Sequence, residues 1–427
     1  MLKKSKTVLV VDNSTSKLDM LESKLSKIFT CTTVYKATTY KEAVQCILNK
    51  DIIIDVSIIN FSLPDVKDGA VVEFALRKEI PVIALTNKSD DETINRLLDI
   101  DIVDYHVCNE SENENENDYT HIINSVSRVL KNYDTNILLV DDSHLQLVMA
   151  KKMLSNLKLN ITTANDGKEA LDILLSGEKH YSLVLTDYNM PVMDGMELTK
   201  EIRKHYDKDQ LGVIVLSASD IPEVPTKFIK LGANDFLNKP YKQIEVTTRI
   251  NSNLEILELF QKTRDMANKD FMTGAYNRRY FFDSGEAIFK KAKRDERDLV
   301  VAMFDIDKFK NINDTYGHDV GDVAICEVAN ILNDNLRDSD LMARFGGEEF
   351  CVLLENISYE DAEKLFEKIR LAFEENIIKI NDLEISFTTS IGVCYGLEDT
   401  LETMIKRSDD GLYYCKNNGR NQVAFNK

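Results

Sequence analysis

Thr7-Val8-Leu9-Val10-Val11-Asp12-Asn13 returns further along the chain as Asn136-Ile137-Leu138-Leu139-Val140-Asp141-Asp142. Each stretch is an unbroken apolar run that ends in carboxylate or amide side chains. A run without alternation is the pattern of a strand buried on both faces, as in the middle of a parallel sheet. The repeat continues in step: Val56 to Asn60 matches Leu183 to Asp187, and Pro81 to Thr86 matches Gly212 to Ser217, with a separation near 130 residues throughout. Helical spacing fills the gaps, for example Leu18, Leu21, Leu25 and Ile28. This alternation predicts two doubly wound α/β units, at 5–132 and 134–252, whose functional residues sit at the carboxyl ends of parallel strands.

Residues 109–118 hold five acids and no apolar side chain, which predicts a solvated loop before the last helix of the first unit. A helix is expected over 243–268. Ile250, Leu254 and Leu257 form one apolar seam, with Ile256 and Phe260 widening it. Such a helix either packs wholly on its own domain or also meets a second copy of the chain. A third α/β domain is expected over 265–427, in keeping with the three domains that 427 residues suggest.

Composition narrows the function. No apolar run approaches the ~18 residues of a membrane span. The run Val8–Val11 behind Lys3, Lys4 and Lys6 is too short for a signal peptide. Seven cysteines without a C-x-x-C pair read as reduced thiols of a cytoplasmic protein. A net charge of -19, with no basic helix, argues against nucleic-acid binding.

In the third domain the apolar run Leu299 to Phe304 delivers Asp305-Ile306-Asp307, followed by Phe309-Lys310, Asn313-Asp314, Gly317-His318 and Gly321-Asp322. Further on, Arg344-Phe345-Gly346-Gly347-Glu348-Glu349-Phe350 sets two glycines and two acids between apolar strands, a natural tight hairpin. Asp305 brought near a glutamate would make a hard oxygen site suited to Mg²⁺. No G-x-x-x-x-G-K-[ST] occurs, so this is no P-loop enzyme.

With the opening motif Asp270 to Arg279, the strand segment Ser390-Ile391-Gly392 and the closing Asp409, Leu412-Tyr413 and Lys416 to Asn421, this domain resembles the GGDEF family of diguanylate cyclases in its GGEEF variant. Ala275 and Gly411 replace commoner residues at packing positions. The resemblance implies that Asp305, the carbonyl of Ile306, Glu348 and Glu349 hold Mg²⁺, or Mn²⁺ in its place. Glu348 matches the general base for a 3′-hydroxyl, though the roles of the two glutamates stay unseparated. Lys310, Lys416 and Arg420 match the phosphate-side cations, and Gly346 and Gly347 leave room for the nucleotide. Asn313 and Asp322 match the guanine-binding pair. A carboxylate accepting from guanine N1–H and the exocyclic amine rejects adenine, which presents an acceptor there. His318 either lines that pocket or is structural, and Asp307 either supports the metal or makes a local hydrogen bond. Arg337 and Asp340 match an R-x-x-D product-inhibition site, the alternative being a plain charged turn. Arg370 could join a product bound to a neighbouring protomer.

The two repeated units resemble response-regulator receiver domains, a flavodoxin-like fold. In the second unit Asp141, Asp142 and the carbonyl of Asn189 match the metal ligands. Asp187 matches the phosphoacceptor, Ser217 and Lys239 the phosphate contacts, and Phe236 the aromatic switch position. The first unit keeps Asp12 and Thr86 but has Asn13, Asn60 and Cys108 where the second has Asp142, Asp187 and Lys239. An amide is no nucleophile for phosphoryl transfer, so the first unit is expected to be a dimerisation or docking adaptor, the alternative being a divergent sensor. The resemblance implies a homodimeric cyclase that converts two GTP into cyclic di-GMP. It would be activated by a cognate histidine kinase and inhibited by its product. The alternative is an inactive cyclic di-GMP-binding effector.

Overall fold

The computed structural model describes residues 5–29, 31–108, 116–217, 223–380 and 383–426. The chain divides into two units, Met1–Gln261 and Lys262–Lys427. The first unit contains two five-stranded parallel sheets. The strand order of the first is Thr32–Ala37, Lys6–Val11, Val56–Asn60, Val82–Thr86, Asp104–Val107. That of the second is Asn160–Ala164, Asn136–Val140, Leu183–Asp187, Gly212–Ser217, Asp235–Asn238. The repeat read from the sequence is therefore a repeat of topology. In each receiver-like unit the apolar runs of the central strands, Val8–Val11 and Ile137–Val140 among them, are buried, as unbroken apolar runs require. Ser14 and Ser143, in matching places, cap the next helix by accepting the backbone N–H of Lys17 and of Gln146.

One hydrophobic core runs through both receiver-like units. It joins Val8, Leu21, Ile58, Val126 and Val129 to Ile137, Leu139, Leu185, Ile250 and Leu254. The helix Gln243–Asn268 contributes Val246, Ile250, Leu254 and Leu257 as buried positions. Ile256 and Phe260 do not widen that seam, being 48% and 52% exposed. At 3.6 residues per turn Ile256 lies about 200° round the helix from Leu254, on its far side. Ile28, at the end of its helix, is likewise exposed. The linker helix is bound to the first receiver-like unit by Arg128 and Lys131, which both pair with Glu258. Of the acidic stretch, residues 109–115 lie outside the described residues, and 116–118 begin the helix Glu116–Asn132.

The second unit is built on a six-stranded mixed sheet. Its order is Tyr276–Asn277, Leu341–Gly346, Glu349–Glu355, Leu299–Ile306, Thr389–Tyr395, Val423–Asn426. The strand Leu299–Ile306 is central and buried along its whole length. The helix Leu401–Asn417 lies directly on the strand Thr389–Tyr395. A Cβ on Gly392 would stand 2.0 Å from the Ser408 carbonyl oxygen, so only glycine permits that approach.

Candidate active site

Register brings the acids of the second unit together. Asp305 pairs with Glu349 on one side and with Ser390 on the other. Gly346 pairs with Glu349 across the hairpin, leaving Gly347 and Glu348 as its turn. Arg344 braces this turn: its Nε donates to the Gly347 carbonyl at 2.9 Å, and its Nη1 pairs with Asp270 at 2.9 Å. The opening motif and the hairpin are thus tied by one guanidinium.

Asp305 is 5% exposed, and Lys416 Nζ sits 2.8 Å from its Oδ2. Burial pushes the Asp305 carboxyl up. Lys416 pulls it down, Glu348 and Glu349 push it up again, and the outcome is about 6. Arg420 follows the same helix and is exposed, as are Lys310, His318 and Asp322, while Asn313 is half-buried. His318 begins the helix His318–Asn335 and is no packed core histidine. Asp307 resolves as a local staple: it accepts from Thr388 Oγ1 at 2.7 Å, Ser390 Oγ at 2.6 Å and Asn421 N at 2.9 Å. Arg370 pairs locally with Glu367, Glu374 and Asn421. Arg337 and Asp340 close a turn in which Asp340 Oδ2 accepts from the Arg337 amide at 2.9 Å.

The second receiver-like unit brings Asp141, Asp187 and Lys239 together. Lys239 Nζ lies 2.5 Å from Asp187 and 3.2 Å from Asp141, and Gln146 also receives it at 2.5 Å. Burial works against the ammonium, but Asp187 and Asp141 outweigh it and the Lys239 pKa is raised. Burial raises Asp141. Asn189 N donates to Asp187 Oδ2 at 3.0 Å, Ser217 is buried beside the same strand ends, Phe236 is half-buried and Asp142 is exposed.

In the first unit Asn60 Nδ2 donates to Asp12 Oδ2 at 2.9 Å, filling the place of an ammonium with a neutral amide. Lys17 also lines this cavity of about 210 Å³, with Thr86 and Cys108. The sequence reading missed it because this lysine comes from a helix, at the position of Gln146, and not from a strand end.

Residues 267–422 match the family described as diguanylate cyclase, GGDEF domain, and residues 137–251 match the response regulator receiver domain. The two matched regions are thus similar to a GGDEF domain and to a receiver domain. The chain is similar to response regulator PleD of Caulobacter vibrioides, 30% identical over 253 residues that cover 57% of this chain and 56% of that protein. It is also similar to diguanylate cyclase A of Treponema denticola, 40% identical over 169 residues, 38% of this chain and 45% of that one. The matches span about half the length of these relatives. Among solved structures, the active GGEEF domain of a diguanylate cyclase from Vibrio cholerae is 35% identical. It covers 35% of this chain and 97% of its own, with a TM-score of 0.34.

Proposed function

We propose that this protein is a diguanylate cyclase that joins two GTP into cyclic di-GMP under the control of phosphorylation at Asp187. The observation that carries the reading is Asp305, buried at a strand end opposite Glu349 and held by Lys416. A buried carboxylate with an ammonium on it is a site prepared for exchange with another cation.

Among the described residues no three metal-type side chains already converge on one point. Asp305, the Ile306 carbonyl, Glu348 and Glu349 fit a divalent cation of the Mg²⁺ kind, which takes one or two carboxylates and completes its shell with water and substrate phosphates. Such an ion would supply charge neutralisation on the triphosphate. Glu348, in the hairpin turn, accepts the proton of a 3′-hydroxyl. The oxygen then bonds to the α-phosphorus of the other GTP, the bond to the β-phosphate oxygen breaks and pyrophosphate leaves. The step occurs twice. Lys416, Lys310 and Arg420 hold phosphate charge, Asn313 and Asp322 select guanine, and Gly346 and Gly347 admit the nucleotide. Each site takes one GTP, so two cyclase domains must face each other and the acting species is a homodimer.

Asp187 takes the phosphoryl group from a histidine kinase, with Asp141, Asp142 and the Asn189 carbonyl around the metal position and Ser217 and Lys239 reading the product. Kinase docking is supported by the helix that carries Gln146. There Leu145, Val148 and Met149 are 69%, 51% and 62% exposed, where the first unit has Ser16, Asp19 and Met20. The domains run 5–132, 134–252 and 265–427, with the linker helix between the last two. No helix among the described residues is long and apolar enough to cross a membrane, in keeping with a cytoplasmic enzyme.

Incubation of pure protein with GTP and Mg²⁺ should yield cyclic di-GMP by mass. Glu348→Gln should cut the rate ~10²–10⁴-fold in a folded protein. Near-normal turnover in that variant sinks the assignment, and product binding without turnover in the unaltered protein would make it an effector. Arg337→Ala should let reactions run past the product level at which the unaltered enzyme stalls; superimposable progress curves would reduce the R-x-x-D turn to a turn.

A further inference from the structure

The helices Phe309–Tyr316 and His318–Asn335 are in close contact at Gly321. A Cβ added there would stand 2.0 Å from Asn313 Oδ1, 3.0 Å from Asn313 Cγ and 3.2 Å from Phe309 Cζ. Gly321 is buried, and its amide donates to the Gly317 carbonyl at 3.3 Å, so it sits in the first turn of a regular helix. Nothing in its backbone demands glycine, since its φ is not in the left-handed region. A mid-helix glycine costs roughly 0.5–1 kcal/mol relative to alanine, so the space itself must be what is used.

Asn313 Oδ1 is buried and has no hydrogen-bond partner in the chain. It rests against the Gly321 Cα, where a C–H can face an oxygen at contact distance. With the oxygen end lodged there, the orientation of the whole amide depends on the space left at Gly321. A methyl group at 321 would evict the oxygen and turn the amide.

We propose that Gly321 is a positioning residue for nucleotide recognition: its missing side chain fixes the orientation of the Asn313 amide and thereby sets the affinity for the purine base. The inference rests on the reading of Asn313 as a base contact. It adds a residue that touches no substrate and acts only through Asn313.

The test is a double-mutant cycle in the full chain, with a non-reacting α,β-methylene analogue of GTP as the binding probe. Gly321→Ala should weaken binding roughly tenfold, the scale of one lost hydrogen bond. In turnover its KM should rise by a similar factor while kcat stays within about twofold. Asn313→Ala should weaken binding comparably, and the double variant should bind no worse than Asn313→Ala alone. Thermal melting supplies a second readout. Gly321→Ala should lower the melting temperature while Asn313 is present. In the Asn313→Ala background the drop should shrink, because the nearest atom left to crowd the methyl group is then the Phe309 ring tip at 3.2 Å and alanine is the better helix former. A normal affinity in Gly321→Ala, or losses that multiply to about a hundredfold in the double variant, would overturn the proposal. A normal affinity in Asn313→Ala would overturn the base-contact reading along with it.

Discussion

The two receiver-like units share a frame down to single hydrogen bonds and differ in what fills it. Ser14 N donates to Asp12 Oδ1 at 2.8 Å, and Ser143 N to Asp141 Oδ1 at 2.9 Å. The amide of Cys108 reaches the Thr86 carbonyl at 2.7 Å, and that of Lys239 reaches the Ser217 carbonyl at 2.7 Å. The acids, however, are satisfied in opposite ways. Asp141 and Asp187 share the ammonium of Lys239, whereas Asp12 takes the neutral amide of Asn60. An ammonium held between two carboxylates keeps the charge that a metal ion or phosphoryl group would later exploit. An amide closes the acid with a bond that asks for nothing further. The frame and the charges at its pocket are thus specified by different residues, and the second can change without the first. The Asp305 site sides with the second receiver-like unit, since Lys416 sits on Asp305 as Lys239 sits on Asp187.

The largest expected effect is all-or-none. Acetyl phosphate should label the unaltered protein and leave Asp187→Asn blank, and Asn60→Asp should gain no label because Cys108 stands where a lysine is needed. Beryllofluoride should raise dimer fraction and activity in the unaltered protein only. Activation that survives in Asp187→Asn would break the comparison and turn attention to the first unit.

Next comes a graded effect at Asp305, whose folded carboxyl titrates at about 6 against an ordinary value of 3.8. The proton is held more tightly folded than unfolded. Its contribution to stability is therefore present below about pH 4 and lost as pH rises through about 6. Cation binding needs the ionised form, so Mn²⁺ affinity followed by paramagnetic resonance should drop about tenfold per pH unit below about 6. A flat profile would deny Asp305 the cation.

A smaller effect tests the swap of amide for acid. Asn60→Asp places a second carboxylate on Asp12 and should cost about 1–3 kcal/mol in urea unfolding. Asp187→Asn should change stability by less than about 1 kcal/mol, since its amide can donate to Asp141 as Asn60 does to Asp12. Equal costs for the two variants would show that the pockets are closed by the same means after all. Smallest is Lys242→Ala, which removes a pair with Asp99 whose side chains are 57% and 67% exposed; it should cost under about 1 kcal/mol.

The sequence made the strands legible because Val8–Val11 and Ile137–Val140 are apolar without interruption, and it made the acids legible because they follow those runs. Register then did the rest: Asp305 faces Glu349 because two apolar strands pair antiparallel. Lys17, Arg344 and Gly321 were not legible as parts of sites, for their partners are set only by tertiary approach. The same reason hid the exposure of Ile256 and Phe260, since a helix can carry two apolar stripes and one sequence does not say which faces the core.

The core that runs from Val8 and Val126 through Ile137 to Leu254 makes each receiver-like unit part of the other's interior. Deleting the first would therefore open apolar surface in both. Substitution at positions 13, 60 or 108 touches a pocket, whereas substitution at Leu21, Ile58 or Val129 touches the shared interior. The first unit is thus a wall for its neighbour.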